Sequence, residues 1–105
     1  VVLGDEKLNA AAQQRAVEIA TVTSHTRPDG TSCFTVLDDF NVTDEATGEN
    51  AAWGQVTPEE VVNDWMNSEG HRANILNPDA HKMGFGYYSD NSSEWCRQWI
   101  QIFTE

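Results

Sequence analysis

Residues 57–76, TPEEVVNDWMNSEGHRANIL, carry the best-marked local structure in the chain. Thr57 reads as an N-cap, Pro58 occupies the first helical position, and Glu60 stands where a capping box places its carboxylate. Val61, Val62, Trp65 and Met66 then fall on one face, so an amphipathic helix is expected, with Trp65 as a core residue. Its stop is expected near Glu69 and Gly70, where glycine supplies a C-terminal cap. His71 follows directly. A histidine facing the negative pole of a helix contributes only about 0.3–1 kcal/mol, and Gly70 already provides the turn. Helix closure therefore explains the glycine better than the histidine, and His71 is expected to serve a cleft.

Upstream, Asp5 is a plausible N-cap for a helix through about Thr21, with Leu8, Ala12, Ala16 and Ile19 at helical spacing. Pro28, Asp29 and Gly30 make a turn. TSCFTVLDDF (31–40) fits a short helix capped by Thr31 or Ser32. NVTDEATGENAAWGQ (41–55) reads as a loop entering a short strand around the motif GEN (48–50). Downstream, KMGFGYY (82–88) begins a strand with two glycines. WCRQWIQIF (95–103) alternates, with Trp95, Arg97, Trp99, Gln101 and Phe103 opposite Cys96, Gln98, Ile100 and Ile102. These two strands predict a final antiparallel hairpin.

The chain has 105 residues, enough for one domain with a thin stability margin. Its 39 % apolar content and four tryptophans argue against disorder. Seventeen acidic against six basic residues give a net charge of −11, with no basic cluster, which makes nucleic acid and anionic membrane surfaces poor partners. No stretch approaches the roughly 20 apolar residues of a membrane helix. The start VVLGDEK lacks the basic lead and apolar run of a signal peptide, so any export signal is taken as already removed. Cys33 and Cys96 are too far apart in sequence for zinc-finger or Cys-x-x-Cys readings. In an exported domain they are expected to form a disulfide, worth about 4 kcal/mol; two free thiols are the alternative.

The landmarks SH (24–25), GEN (48–50), VVNDWMNSEGHRANIL (61–76), MGFGYY (83–88) and WIQIF (99–103) occur in an order that resembles the CAP superfamily of cysteine-rich secretory, antigen 5 and pathogenesis-related proteins. The likeness is closest to its compact bacterial, SCP-like branch and covers nearly all of the chain from Leu8. It implies an α+β fold: an α-β-α sandwich with a three- or four-stranded antiparallel sheet between helical layers. Residues 1–105 then form a single CAP domain that lacks the family's usual leading helix, as a fragment or a trimmed variant. The resemblance further implies a secreted or cell-surface location and a cleft lined by histidines and acidic residues. His25 matches the first histidine, Glu49 the glutamate of GEN and His71 the second histidine. The second family glutamate falls on Ser68, and Glu69 stands one place further on.

The expected cleft is thus His25, Glu49, Ser68, Glu69 and His71. His25, His71 and Glu49 offer two imidazoles and a carboxylate to zinc or another divalent cation. The function expected is binding: a small or lipid-like ligand or a protein partner, taken by a monomer. The alternative is a zinc-assisted hydrolase or protease with Glu69 as base. A serine-type triad of Ser24 or Ser68 with His71 and Glu49 lacks the strained turn and oxyanion hole it would need. Taken singly, the same residues also suit structural roles, with Glu49 organising its loop and the histidines only hydrogen-bonding across the cleft. His81 reads as a solvated loop residue, Arg72 as an ion-pair or capping residue, and Trp53 as a candidate for the cleft wall. Asn41-Val-Thr43 and Asn91-Ser-Ser93 are sequons in exposed loops.

Overall fold

The computed structural model describes residues 2–90 and 96–105, and Trp95 and the second sequon lie outside the described residues. A two-residue strand β1 (Val2–Leu3) precedes helix α1 (Glu6–Thr21). A 3₁₀ turn (Cys33–Thr35) leads into the short helix α2 (Val36–Asp39). Strand β2 (Ala46–Trp53), helices α3 (Pro58–Met66) and α4 (Glu69–Leu76), and strands β3 (Lys82–Ser89) and β4 (Arg97–Thr104) follow. The sheet order is β1-β3-β4-β2: three antiparallel strands with β1 added parallel at the β3 edge. β3 and β4 form the expected hairpin, and β2 crosses back to pair with β4 at the opposite edge.

Two cores sandwich the sheet. On one face Leu8, Ala11, Ala12, Ala16 and Ile19 of α1 join Val36 and Leu37 against Ala51, Ile100 and Ile102. On the other, Val61 and Trp65 of α3 pack on Ala52 and Trp99, with Ile75 and Phe85 alongside. The two glycines of β3 explain how α1 lies so close. A Cβ on Gly84 would come within 2.6 Å of the Leu8 carbonyl, and one on Gly86 within 2.3 Å of the Ala12 carbonyl. Any side chain at either position would push the helix off the sheet.

Asp5 caps α1 by accepting from the Leu8 amide at 3.0 Å, as its position predicts. Thr57 accepts from the Glu60 amide at 3.1 Å, whereas the Glu60 carboxylate reaches back to the amide of Val56 rather than that of Thr57. The expected helix stop at Gly70 is displaced. Helix α3 ends at Met66 with Asn67 as its C-cap, and α4 begins two residues later. Gly70 is therefore inside the first turn of a helix, where a glycine is tolerated, and His71 is a helical residue. β2 is also longer than the expected short strand, because Gly48, Glu49 and Asn50 all pair with β4.

The expected disulfide is not formed: Cys33 and Cys96 are not bonded to each other. Cys33 lies beside Glu49, which is in register with Ile102. Ile102 is six positions beyond Cys96, about 20 Å of chain at roughly 3.3 Å per residue, so Cys96 stands well away from the level at which Cys33 meets Glu49. Disulfides require Cα atoms within about 7 Å. Cys96 itself precedes the strand, at φ 64°, rather than belonging to it.

Two outcomes are expected. Unfolded without reductant, the protein should take up alkylating reagent on both thiols, read by mass spectrometry. Trp65, only 1 % exposed with its indole N–H donating to the Ala51 carbonyl at 3.2 Å, should cost about 3–5 kcal/mol on replacement by alanine. At about 4–8 °C per kcal/mol for a domain of this size, calorimetry should show a melting point lower by more than about 10 °C.

Candidate functional site

The site lies at the β2 edge of the sheet and is organised by the alternation of a strand. Successive side chains point to opposite faces, so Glu49 and Asn50 serve different layers. Glu49 turns to the α1 face, with Ala51, and Asn50 to the α4 face, with Ala52.

On the α1 face, the Glu49 side chain is 1 % exposed and meets Arg15, whose side chain is wholly buried. Arg15 Nε donates to Glu49 Oε2 at 2.8 Å and Nη2 to Oε1 at 3.2 Å, a bidentate pair. Nη1 reaches Glu18 at 3.0 Å, and Nη2 also donates to the Ser24 carbonyl at 2.8 Å. Glu18 in turn holds Arg27 at 2.7 Å, which also pairs with Asp39. Burial opposes the charge on Arg15, but its bonds to Glu49 and Glu18 outweigh that and raise its pKa. Burial likewise opposes the charge of Glu18, and its bonds to Arg27 and Arg15 outweigh it to lower its pKa. His25 completes the cluster: its Nδ1 lies 2.8 Å from Glu49 Oε1, and a carboxylate can only accept, so Nδ1–H donates. The His25 ring itself is 59 % exposed.

On the α4 face, neutral amides do the docking. Asn50 Nδ2 donates to the His71 carbonyl and to Gln101 Oε1, both at 3.1 Å. Asn74 donates to Asn50 Oδ1 at 2.9 Å and to the Glu49 carbonyl at 3.3 Å. Gly48 permits this, because a Cβ there would stand 2.7 Å from Asn74 Oδ1. The GEN motif thus contains a clearance, an anion and an amide. His71 Nδ1 lies 3.0 Å from Ser68 Oγ, one turn back. Burial, and then the nearby His25, lower the His71 pKa, so its ring stays neutral to more acidic pH than a free histidine.

Of the expected cleft residues, His25 and Glu49 are in direct contact, and Ser68 and His71 are in direct contact. The carboxylate is held by the other histidine, so no Ser68–His71–Glu49 triad is assembled, and the Ser24 hydroxyl accepts from the Thr26 amide. Glu69 is exposed in the first turn of α4. A cavity of about 320 Å³ opens beside His71 and Ser68, walled by Trp53, Trp65, Gln55 and Asp64, which gives Trp53 the lining position its sequence context suggests. His81 is exposed, as expected. Arg72 is exposed and joins none of the ion pairs among the described residues, so the ion-pair half of its expected role is not met.

Sequence reasoning missed Arg15, Asn74 and the nearness of Cys33. Arg15 had a signal: it is a charged residue on the buried stripe of α1, between Ala12 and Ile19, and such a charge demands a partner. Cys33 is 5 % exposed, and ligand atoms of His25, Cys33 and Glu49 lie within 4.8 Å of one another. Burial, and then the charge of Glu49, push the Cys33 thiol up to about 11. No helix of the described residues is long and apolar enough to cross a membrane.

Comparison with known proteins agrees with this architecture. YkwD, an uncharacterised protein of Bacillus subtilis, is 42 % identical over 98 residues, covering 91 % of this chain and 38 % of that protein. YlbC, an uncharacterised membrane protein of the same organism, is 39 % identical over 59 residues, 52 % of this chain and 17 % of its own length. The chain thus spans well under half the length of these curated relatives. Among solved structures, an extracellular SCP-domain protein of Bacillus anthracis superposes with a TM-score of 0.84 at 24 % identity, over all of this chain and 34 % of its own. An outer surface protein of Borrelia burgdorferi gives 0.80 at 23 %, over 99 % of this chain and 75 % of its own. These two are likenesses of fold. The profile of the cysteine-rich secretory protein family matches residues 4–103, and the chain belongs to that family, CAP.

Proposed function

We propose that this is an exported binding domain whose cleft takes a divalent cation, zinc foremost, between His25 and His71, with a small or lipid-like ligand or a partner protein bound beside it. One observation carries the reading: each imidazole is held through Nδ1, by Glu49 Oε1 at 2.8 Å and by Ser68 Oγ at 3.0 Å. Nε2 is the nitrogen left on each ring. Histidines that ligate metals are commonly oriented in this way by an acceptor on the other nitrogen. The chemistry of the donors therefore suits a cation, with a revised role for Glu49; His25 belongs to the group of ligand atoms gathered within 4.8 Å with Cys33 and Glu49, and His71 stands outside that group, so a cation would have to draw it in. Its oxygens are already occupied by Arg15 and His25, so it orients a ligand and sets that ligand's tautomer. A bound cation would supply a positive centre for an anionic or carbonyl group of the ligand. The indole-walled cavity beside His71 supports an apolar portion of that ligand. Export is supported by the extracellular and outer-surface locations named for the structural neighbours.

Zn²⁺ at 100-fold above its dissociation constant should stabilise the fold by about 2.7 kcal/mol, raising the melting point by roughly 10 °C or more at about pH 7.5. Metal binding requires neutral imidazoles, so the rise should shrink as the pH falls towards about 5 and protons compete. His71→Ala should abolish the zinc-dependent shift and leave a folded apoprotein; an unchanged response would remove His71 from the site. Glu49→Gln should weaken zinc by about 10–100-fold in calorimetry, the usual effect of losing an orienting partner. Metal binding with no hydrolysis of peptide or ester substrates would separate the binding reading from a zinc hydrolase.

A further inference from the structure

Residues 25–33 form a small ladder of their own. Thr26 and Ser32 are antiparallel bridge partners, flanked by hydrogen bonds from Arg27 N to the Thr31 carbonyl at 2.8 Å and from Cys33 N to the His25 carbonyl at 2.9 Å. This register sets His25 and Cys33 directly opposite each other, and directly opposed residues project on the same side. The turn that closes the ladder is itself stapled. Gly30 takes φ 89°, and Asp29 accepts from both the amide and the hydroxyl of Thr31, at 2.9 and 2.6 Å. The pairing of the histidine with the cysteine is thus built into the backbone and does not depend on a chance rotamer.

A dication at His25 and His71 has a charge problem. Two imidazoles are neutral, and Glu49, the buried carboxylate nearest them, is already neutralised by a bidentate guanidinium. A cation held by neutral ligands alone would lose its hydration with little electrostatic compensation. Cys33 can supply the missing anion. Its sulfur is unpaired in any disulfide and belongs to the one group of metal-ligating atoms found within 4.8 Å of one another among the described residues. Ligands on a tetrahedral zinc, with bonds of about 2.0–2.3 Å, stand roughly 3.5 Å apart, so a contraction of about an ångström would bring the His25 and Cys33 members of this group, whose third member is Glu49, to ligand spacing.

We propose that Cys33 is a ligand of this site, pairing a thiolate with the His25 imidazole so that the site selects thiophilic cations, Zn²⁺ and Cd²⁺, over Mg²⁺ and Ca²⁺. The inference rests on the reading of His25 as a cation ligand and adds the residue that would set its preference. As the metal–sulfur bond forms, the S–H bond breaks and its proton passes to the buffer, about one per cation bound. The CAP resemblance supplies His25, Glu49 and His71; the thiol is read from the geometry around His25.

The test uses Cd²⁺ as a probe on the protein carrying Cys96→Ser, so that Cys33 is the sole thiol. Titration should produce an ultraviolet thiolate-to-cadmium charge-transfer band that saturates at one equivalent. Calorimetry in buffers of different ionisation enthalpy should show the matching proton release. Cys33→Ser and Cys33→Ala, each checked for folding by circular dichroism, should lose the band and bind Zn²⁺ about 100-fold or more weakly, since losing an orienting partner alone costs about 10–100-fold. A zinc-dependent melting shift without a charge-transfer band, equal in the parent and both Cys33 variants, would overturn the proposal and leave the two-histidine reading standing. A band that persists in His71→Ala together with an unchanged zinc response would sustain Cys33 and overturn the two-histidine reading. A band that survives His25→Ala undiminished would overturn the pairing proposed here.

Discussion

The alternation of two adjacent side chains at the sheet edge holds the whole site. Because a strand turns successive residues to opposite faces, Glu49 and Asn50 bind the helical layers on the two sides of the sheet. Glu49 fixes Arg15 of α1 and, through it, Glu18, Arg27 and the loop bearing His25. Asn50 fixes α4 through the His71 carbonyl and Asn74. A slip of one residue in the β2–β4 register would exchange the two and place a buried carboxylate among amides. The histidines are therefore held by one short stretch of backbone, from opposite sides.

The two faces are joined by different physics. The α1 face relies on buried charges, where removal of one partner is commonly worth about 3–5 kcal/mol because the other is left unpaired. The α4 face relies on neutral hydrogen bonds, each of about 0.5–1.5 kcal/mol net. The charged side is thus the rigid wall of the cleft and the amide side the one that yields more readily. The same division concentrates the basic residues. Of the six in the chain, Arg15 and Arg27 are engaged by internal carboxylates, so the exposed surface is strongly anionic and raises the local concentration of cations around the site.

Much of this was legible beforehand. Asp5, the Leu8 to Ile19 stripe, Thr57-Pro58 and the alternation in WIQIF each carry a local signal that tertiary structure did not overrule. The failures have identifiable causes. Gly70 reads as a helix stop in isolation, yet Asn67 had already ended α3, and Ser68 stands at the N-cap position of a second helix. The stretch Thr47 to Asn50 is poor in β-formers, and only its pairing with β4, some fifty residues away, makes it a strand. The disulfide was inferred from the needs of a small exported domain, which say nothing about where two cysteines lie along a strand. The histidines and Glu49 were legible through resemblance. Their connections to Arg15, Ser68 and Cys33 were not, because those contacts depend on side-chain directions across segments distant in sequence.

The clearance at Gly84 and Gly86 has a consequence for the order of folding. The backbone of α1 rests on these two positions, so the first helix finds its principal surface more than seventy residues later in the chain. Few of its contacts are local, and β2 likewise waits for β4. A topology of this kind meets its loop-closure entropy before it gains packing, which slows folding relative to a helical bundle of equal size. Emerging from a ribosome or a translocation pore, α1 would remain an isolated and marginal helix until the hairpin arrived. The packing of α1 and β2 is therefore completed only once the β3–β4 hairpin is present.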